Sequence, residues 1–281
     1  MPLSAVISLE AISDGRLDQF SGRGVHGFWF NHWRDVDPMF AGRLHENTQD
    51  APFTLSPLLG LHHGREGTNI KAGQPAFFRI GILTEELAQP FEQTWLKALL
   101  PDSEIEIPQA REESGTVIPG LHWKVTNHAL ESTEHPMAGR VSYEDLTRKH
   151  LMNPNPPRQW KMDFLSPTTF HGKTAHLPFP LPDSLINSWM RRWQAFAPIA
   201  LPQEVTEWAK QSLAVSSYSL RTLPAREADR LRIGCVGTLT MRALDMPPYL
   251  RAAMDLLAAY SFFCGSGAHT TQGLGQTMSR P

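Results

Sequence analysis

The sequence predicts an α+β protein built from two tandem ferredoxin-like (RRM-like) βαββαβ domains. Three observations predict it. Hydrophobic spacing gives strand, helix, strand, strand, helix, strand over the first half of the chain. The same order returns in the second half. Between the halves runs a polar stretch rich in His, Pro and Asn, ending Asn153-Pro154-Asn155-Pro156-Pro157-Arg158, which reads as a linker. On this reading residues 1–135 form an N-terminal domain, 136–158 a linker or insertion, and 159–281 a C-terminal domain with a glycine-rich loop.

Each element has a local reason. Residues 3–10 alternate and include Val6, Ile7 and Leu9, which suits a strand. Residues 24–35 place Val25, Phe28, Trp29 and Trp33 at helical spacing. Asp37-Pro38 starts a further helical turn, with Asp as cap and Pro at the first position, and carries it to about His45. Residues 53–61 and 76–83 read as strands. Residues 85–100 read as a helix, with Leu87, Phe91, Trp95 and Leu99 four apart, and 117–126 as a strand. Residues 130–158 read as loop, with room for a strand within 138–146. In the second half, 160–165 is a strand and 182–196 a helix with Leu185, Trp189, Trp193 and Phe196 on one side. Residues 215–223 and 231–244 are strands, 248–264 a helix, and a last strand follows the glycine loop.

Composition bounds the function. Of 281 residues, 41% are hydrophobic and 19% charged, a globular composition with no apolar run near the roughly 20 residues of a membrane span. No basic segment precedes the first apolar stretch, so it reads as a strand rather than a signal peptide. The two cysteines, Cys235 and Cys264, give neither a disulfide framework nor a metal cluster, and a cytoplasmic location is expected. A net charge of −2 argues mildly against nucleic acid. Distribution tempers this. Acidic residues gather at Glu85-Glu86, 102–106 and Glu112-Glu113, and basic ones at Arg191-Arg192 and over 221–232, so the second half is the better phosphate-facing surface.

The glycine loop is the chief motif. Gly265, Gly267, Gly273 and Gly275 fall within eleven positions after an apolar helix. Such a loop can turn its N–H groups onto a phosphate, with Ser266, His269, Thr270 and Thr271 adding donors. Its order, helix then loop then strand, is not that of a dinucleotide loop, and the Gly-Lys-Ser/Thr of an ATPase loop is missing. The plainer alternative is a turn that closes a sheet. Trp189 and Trp193, with Arg191 and Arg192 between them, could stack bases and grip phosphate. Their spacing suits a core stripe better, with the arginines in solvent.

Three segments together resemble one family. They are the loop Gly265-Ser266-Gly267-Ala268-His269-Thr270-Thr271-Gln272-Gly273-Leu274-Gly275-Gln276; Leu165-Ser166-Pro167-Thr168-Thr169-Phe170 with Pro178-Phe179-Pro180-Leu181-Pro182 and Arg192-Trp193; and Val25-His26-Gly27-Phe28-Trp29 with Leu44-His45-Glu46 and Pro52-Phe53-Thr54-Leu55-Ser56-Pro57-Leu58. They resemble the CRISPR repeat endoribonucleases of the RAMP superfamily, which cut precursor CRISPR RNA within its repeats. The resemblance implies tandem ferredoxin-like domains and cleavage without metal or cofactor. The 2′-hydroxyl would attack, leaving a 2′,3′-cyclic phosphate and a 5′-hydroxyl. It implies CRISPR repeat RNA as partner, further subunits of a CRISPR effector complex, a homodimer as one assembly open to the chain, and no membrane. A non-cleaving repeat-RNA subunit and a ferredoxin-like scaffold that binds no RNA are the rival readings.

The reaction needs a base, an acid and a stabiliser for the phosphorane, and histidine suits the first two. The resemblance makes His45 the leading catalytic residue, with His26 and His32 on the preceding helix behind it. A helix ending at His45 would favour its imidazolium. Where some members have a tyrosine this chain has Phe30, and where some have a lysine it has Gln49-Asp50-Ala51-Pro52. Arg43, Lys71 and Arg79 are the substitutes for that lysine. RNA contacts are expected at Gly265, Ser266, Gly267, His269, Thr270, Thr271, Gly273, Gly275, Arg191 and Arg192. His62-His63 and the set His122, His128, His135 raise the question of a metal, but no cysteine or His-Glu-x-x-His stands with them.

Overall fold

A computed structural model describes all residues except 18–19, 47–49, 62–66, 110–118, 173–175, 228–229 and 281. The first half holds strands β1 (Leu3–Ala11) and β2 (Gly15–Leu17) and helices α1 (Gly22–Val36) and α2 (Pro38–Glu46). Strands β3 (Phe53–Leu55), β4 (Thr68–Ile70) and β5 (Pro75–Ile82) follow, then α3 (Glu85–Pro90), β6 (Glu104–Ile107) and β7 (Leu121–Ala129). The main sheet runs β3-β5-β1-β7-β6, all pairs antiparallel. Its first four strands give the βαββαβ order, and β6 widens the edge. Strand β3 stops at Leu55 because Pro57 cannot continue a ladder. The helix expected over 85–100 is α3 followed by a π-helical turn, Phe91–Leu96, set off where Pro90 lacks an N–H. The expected strand 117–126 is β7, shifted toward the C-terminus, and residues 117–118 lie outside the described residues.

The stretch read as a loop contains β8 (Gly139–Arg140), which pairs with β1, and helix α4 (Tyr143–Leu151). Ser142 caps α4, its Oγ accepting from Asp145 N. Tyr143 and Leu146 then pack into the core of the second half. That half continues with β9 (Gln159–Thr168), β10 (Phe170–His171), β11 (His176–Leu177), α5 (Pro182–Phe196), α6 (Glu204–Ser212), β12 (Leu213–Glu227), β13 (Arg230–Ala243), α7 (Pro248–Cys264) and β14 (Thr277–Arg280). Its sheet runs β12-β13-β9-β14, again the βαββαβ order, with α6 added before the β12–β13 hairpin.

Each half has its own core. The first is built on Trp29, Trp33, Phe78, Trp95 and Trp123, and the second on Trp160, Trp189, Trp193 and Tyr260. The tryptophans of α5 are therefore a core stripe. Trp189 Nε1 donates to Ser266 Oγ at 2.8 Å, and Trp193 Nε1 donates to Ile199 O at 2.7 Å. Two buried arginines fasten the halves together. Arg79 on β5 donates to Ser4 Oγ (2.6 Å), to Gln276 Oε1 (3.0 Å) and to Phe262 O, and lies over the Phe262 ring. Arg192 on α5 donates to Phe53 O at 3.3 Å.

Candidate active site

Helix α1 enters through Ser21 and Gly22, and the C-terminal glycine loop packs on this entry. A Cβ on Gly22 would lie 2.2 Å from Gln272 O, and one on Gly273 would lie 2.5 Å from Gly22 Cα. Only glycine permits this approach, and Gly273 also has a left-handed φ of 90°. The contact sets His26. Its Nδ1 lies 2.9 Å from Thr271 O. A carbonyl only accepts, so Nδ1 carries the proton, and in the neutral ring Nε2 keeps its lone pair. Burial lowers the pKa of His26. The bond to Thr271 opposes that, while Arg23 and His45 add to the lowering. His26 is thus a neutral imidazole with a basic nitrogen at neutral pH.

His45 reaches the same place from the last turn of α2, where it is exposed. Its ring meets Phe30 edge-on at 5.3 Å, and His26 meets the same Phe30 ring at 5.0 Å. Phe30 touches both imidazoles and, lacking a hydroxyl, takes no proton. His26 and His45 therefore meet at one aromatic ring.

His32 is not part of this group. Two residues beyond Phe30, it lies about 200° round the helix. Its Nε2 donates to Trp95 O at 2.9 Å and its ring packs against Phe28 and Trp95. Burial lowers its pKa, against the Trp95 bond and Asp35. The candidate stabilisers separate too. Arg79 is buried between the halves, Lys71 pairs with Asp14 at 2.7 Å, and Arg43 lies over Phe40. Arg23, which the sequence reading passed over, is the arginine whose charge acts on His26. Its signal was the i, i+3 spacing to His26 on one helix face.

The glycine loop differs from the expected phosphate cradle. The N–H groups of Gly265, Ser266, Gly267, Ala268, Gln272, Leu274, Gly275 and Gln276 all donate within the protein. Gly265, Ser266, Thr270, Gly273 and Gly275 are buried. Ser266 Oγ accepts from both Trp189 and Thr277. Arg192 is buried as well, so neither the grip on phosphate nor a place in solvent holds for it. Of the expected RNA contacts, Arg191 is exposed, and Gly267, His269 and Thr271 are half-buried. The loop's work is to join the halves and hold His26. His62-His63 lie outside the described residues. Of the other histidines weighed for a metal, His122 pairs with Glu104 at 3.1 Å, and burial lowers the pKa of His128 and His135.

Beside the loop lies a cleft of about 740 Å³ between the halves. Phe20, Pro57 and Leu61 line it from the first half, and Pro167, Arg221 and Arg226 from the second. It abuts Gly273, whose Cβ would sit 3.2 Å from Pro57 N.

Comparison with known proteins bears on the whole arrangement. The Cas6 N-terminal domain matches residues 1–106, and the CRISPR-associated endoribonuclease Cas6 matches residues 162–277. The chain belongs to the Cas6 family. Thermus thermophilus Cas6, solved as a product complex, is 26% identical with a TM-score of 0.77 over 100% of both chains. A second Cas6 product complex is 28% identical with a TM-score of 0.74, over 100% of this chain and 99% of that one. The same second Cas6, as a substrate-mimic complex, matches with a TM-score of 0.71 over 99% of each chain. No curated protein sequence matches the chain. These structures have tandem ferredoxin-like domains, as the two sheets here do, and the family is one of endoribonucleases. No helix among the described residues is long and apolar enough to cross a membrane.

Proposed function

We propose that this Cas6-family chain binds the repeats of precursor CRISPR RNA and cuts them by 2′-hydroxyl attack. The observation that carries the reading is the pair of imidazoles flanking Phe30, one of them fixed by Thr271 of the other half. His26 Nε2 takes the proton of the 2′-hydroxyl as its oxygen bonds to phosphorus. The P–O5′ bond breaks, and His45 gives its proton to the leaving oxygen. The products are a 2′,3′-cyclic phosphate and a 5′-hydroxyl. Arg23, on the His26 face of α1, is placed to meet the phosphorane charge. Cleavage then needs no metal. The complexes of the relatives with product and substrate mimic support repeat RNA as the substrate class.

Incubation with labelled repeat RNA in EDTA tests this, with a second substrate carrying 2′-deoxyribose at the scissile position. The first is cut to a cyclic phosphate, and the second binds and stays intact. Cutting of the deoxy substrate, or a strict need for a divalent ion, would falsify the mechanism. Handover of the product to effector subunits and pairing of two copies belong to the same proposal. Size-exclusion chromatography with and without RNA checks the pairing.

A further inference from the structure

Outside the candidate active site, three histidines from separate parts of the chain converge. His171 ends β10 and His176 opens β11, and their rings lie 5.1 Å apart. His269 of the glycine loop lies 5.9 Å from His171 and 5.4 Å from His176. The cluster is built. Ala268 N donates to Thr169 O at 2.8 Å, and Thr169 Oγ1 donates to Leu177 O at 3.3 Å, tying the loop to the small hairpin. Gly267 N donates to Ser188 Oγ at 2.8 Å, tying the loop to α5. A Cβ on Gly267 would lie 2.2 Å from Thr169 O. His269 takes a left-handed φ of 58°, uncommon for a side chain of its size.

The electrostatics of the cluster favour an anion. The charged groups acting on His171 are His176 on β11 and Arg191 on α5, both of which lower its pKa after desolvation. Protonating His171 in the unliganded protein therefore sets it against the charges of His176 and Arg191, and a bound anion relieves the repulsion. His171, His176 and Arg191 are exposed, so an anion reaches them from solvent. Among the described residues no group of three or more His, Cys, Asp or Glu is arranged to hold a metal ion, so the rings do not converge as ligands.

We propose that His171, His176, His269 and Arg191 form a phosphodiester subsite for the bound RNA, one that tightens as the pH falls. It rests on the repeat-RNA reading above. The position follows from the chain. His269 stands two residues from Thr271, so the subsite lies within about 7 Å along the backbone of the carbonyl that holds His26. It takes a phosphate flanking the one that is cut. The loop thus orients the base with one residue and grips the neighbouring backbone with another.

The test measures the dissociation constant of a repeat RNA with 2′-deoxyribose at the scissile position, across about pH 5.5 to about pH 8, where imidazoles titrate. The proteins are the wild type, His171→Gln/His176→Gln, and a His122→Gln control on β7. Wild-type binding should tighten roughly tenfold toward low pH, the equivalent of about one pKa unit on binding. The double variant should lose most of that gain, and its salt dependence at low pH should flatten by about 0.7 in log–log slope, one single-strand phosphate contact. The control should keep the full pH dependence. A folded double variant with wild-type pH dependence overturns the subsite. Imidazole resonances of His171 and His176 that move with inorganic phosphate but not with RNA overturn its assignment to RNA. A wild type that binds no repeat RNA at any pH instead removes the reading on which it rests.

Discussion

Gly273→Ala probes the link between the loop and the chemistry. Two costs follow from the structure. A left-handed φ of 90° costs a residue with a Cβ about 1–2 kcal/mol. The new methyl would sit 2.5 Å from Gly22 Cα and 3.1 Å from the Phe20 ring, so the loop must withdraw from α1 by about 1 Å. Overpacking of that kind costs about 1–3 kcal/mol. The combined loss, about 2–5 kcal/mol, lowers the melting temperature by roughly 5–15 °C. Withdrawal also carries Thr271 O away from His26 Nδ1, and a displacement of about 1 Å in a positioning contact costs roughly 10²-fold in rate. The assay pairs a thermal melt with single-turnover cleavage at a temperature where the variant is folded. Gly42→Ala on α2 serves as the control: outside the backbone of its own helix no atom lies within 4 Å of its added Cβ, and the change should stabilise that helix by about 0.5–1 kcal/mol. A Gly273→Ala protein that melts and cuts like wild type refutes the claim that the loop sets His26.

Two further outcomes are expected. His45→Ala and His26→Ala should each slow cleavage by about 10²–10⁴-fold under single turnover while repeat RNA still binds, and a wild-type rate in either removes that residue from the proton transfers. Stability should fall as the pH drops below about 6.5, because burial lowers the folded-state pKa of His26, His32, His128 and His135, so the unfolded chain binds more protons there. Melting temperatures taken across that range check this, and a flat profile contradicts it.

Much of the fold was legible because amphipathic spacing survives translation into structure. Trp29 and Trp33 on α1, Trp95 in the π-turn, and Trp189 and Trp193 on α5 are the residues that periodicity picked out, and all are buried. Helix α4 escaped because prolines and asparagines surround it, although Ser142 and the acidic pair after it were a cap signal. Strand β6 escaped because Glu104-Ile105-Glu106-Ile107 is a short edge strand with two of its four residues charged. The site divides differently. The resemblance pointed to His45 and His26, but the carbonyl of Thr271 comes from 245 residues away, and no spacing announces that. Glycine richness in the loop suggests room for a ligand or a turn that closes a sheet, whereas Gly273 makes room for Gly22 of the other half. Sequence shows that a backbone approach occurs and is silent on what approaches.

The buried arginines explain how a chain of net charge −2 can still face a polyanion, though at first they deepen the problem. Arg79 and Arg192 are taken out of the basic surface, both fastened to uncharged acceptors, and burial lowers the pKa of each. A guanidinium remains charged under such burial, and at Arg79 its several donors let hydroxyl, amide and carbonyl oxygens satisfy it without a carboxylate. Four of the other arginines are grouped by the fold. Arg221 and Arg226 lie in the cleft between the halves, Arg23 lies beside His26, and Arg191 lies beside the histidine cluster. The carboxylates Glu85, Asp102 and Glu104 instead interact with Met1, Lys124 and His122. Separation of charge, rather than its sum, decides whether a phosphate backbone is attracted along the line from cleft to loop.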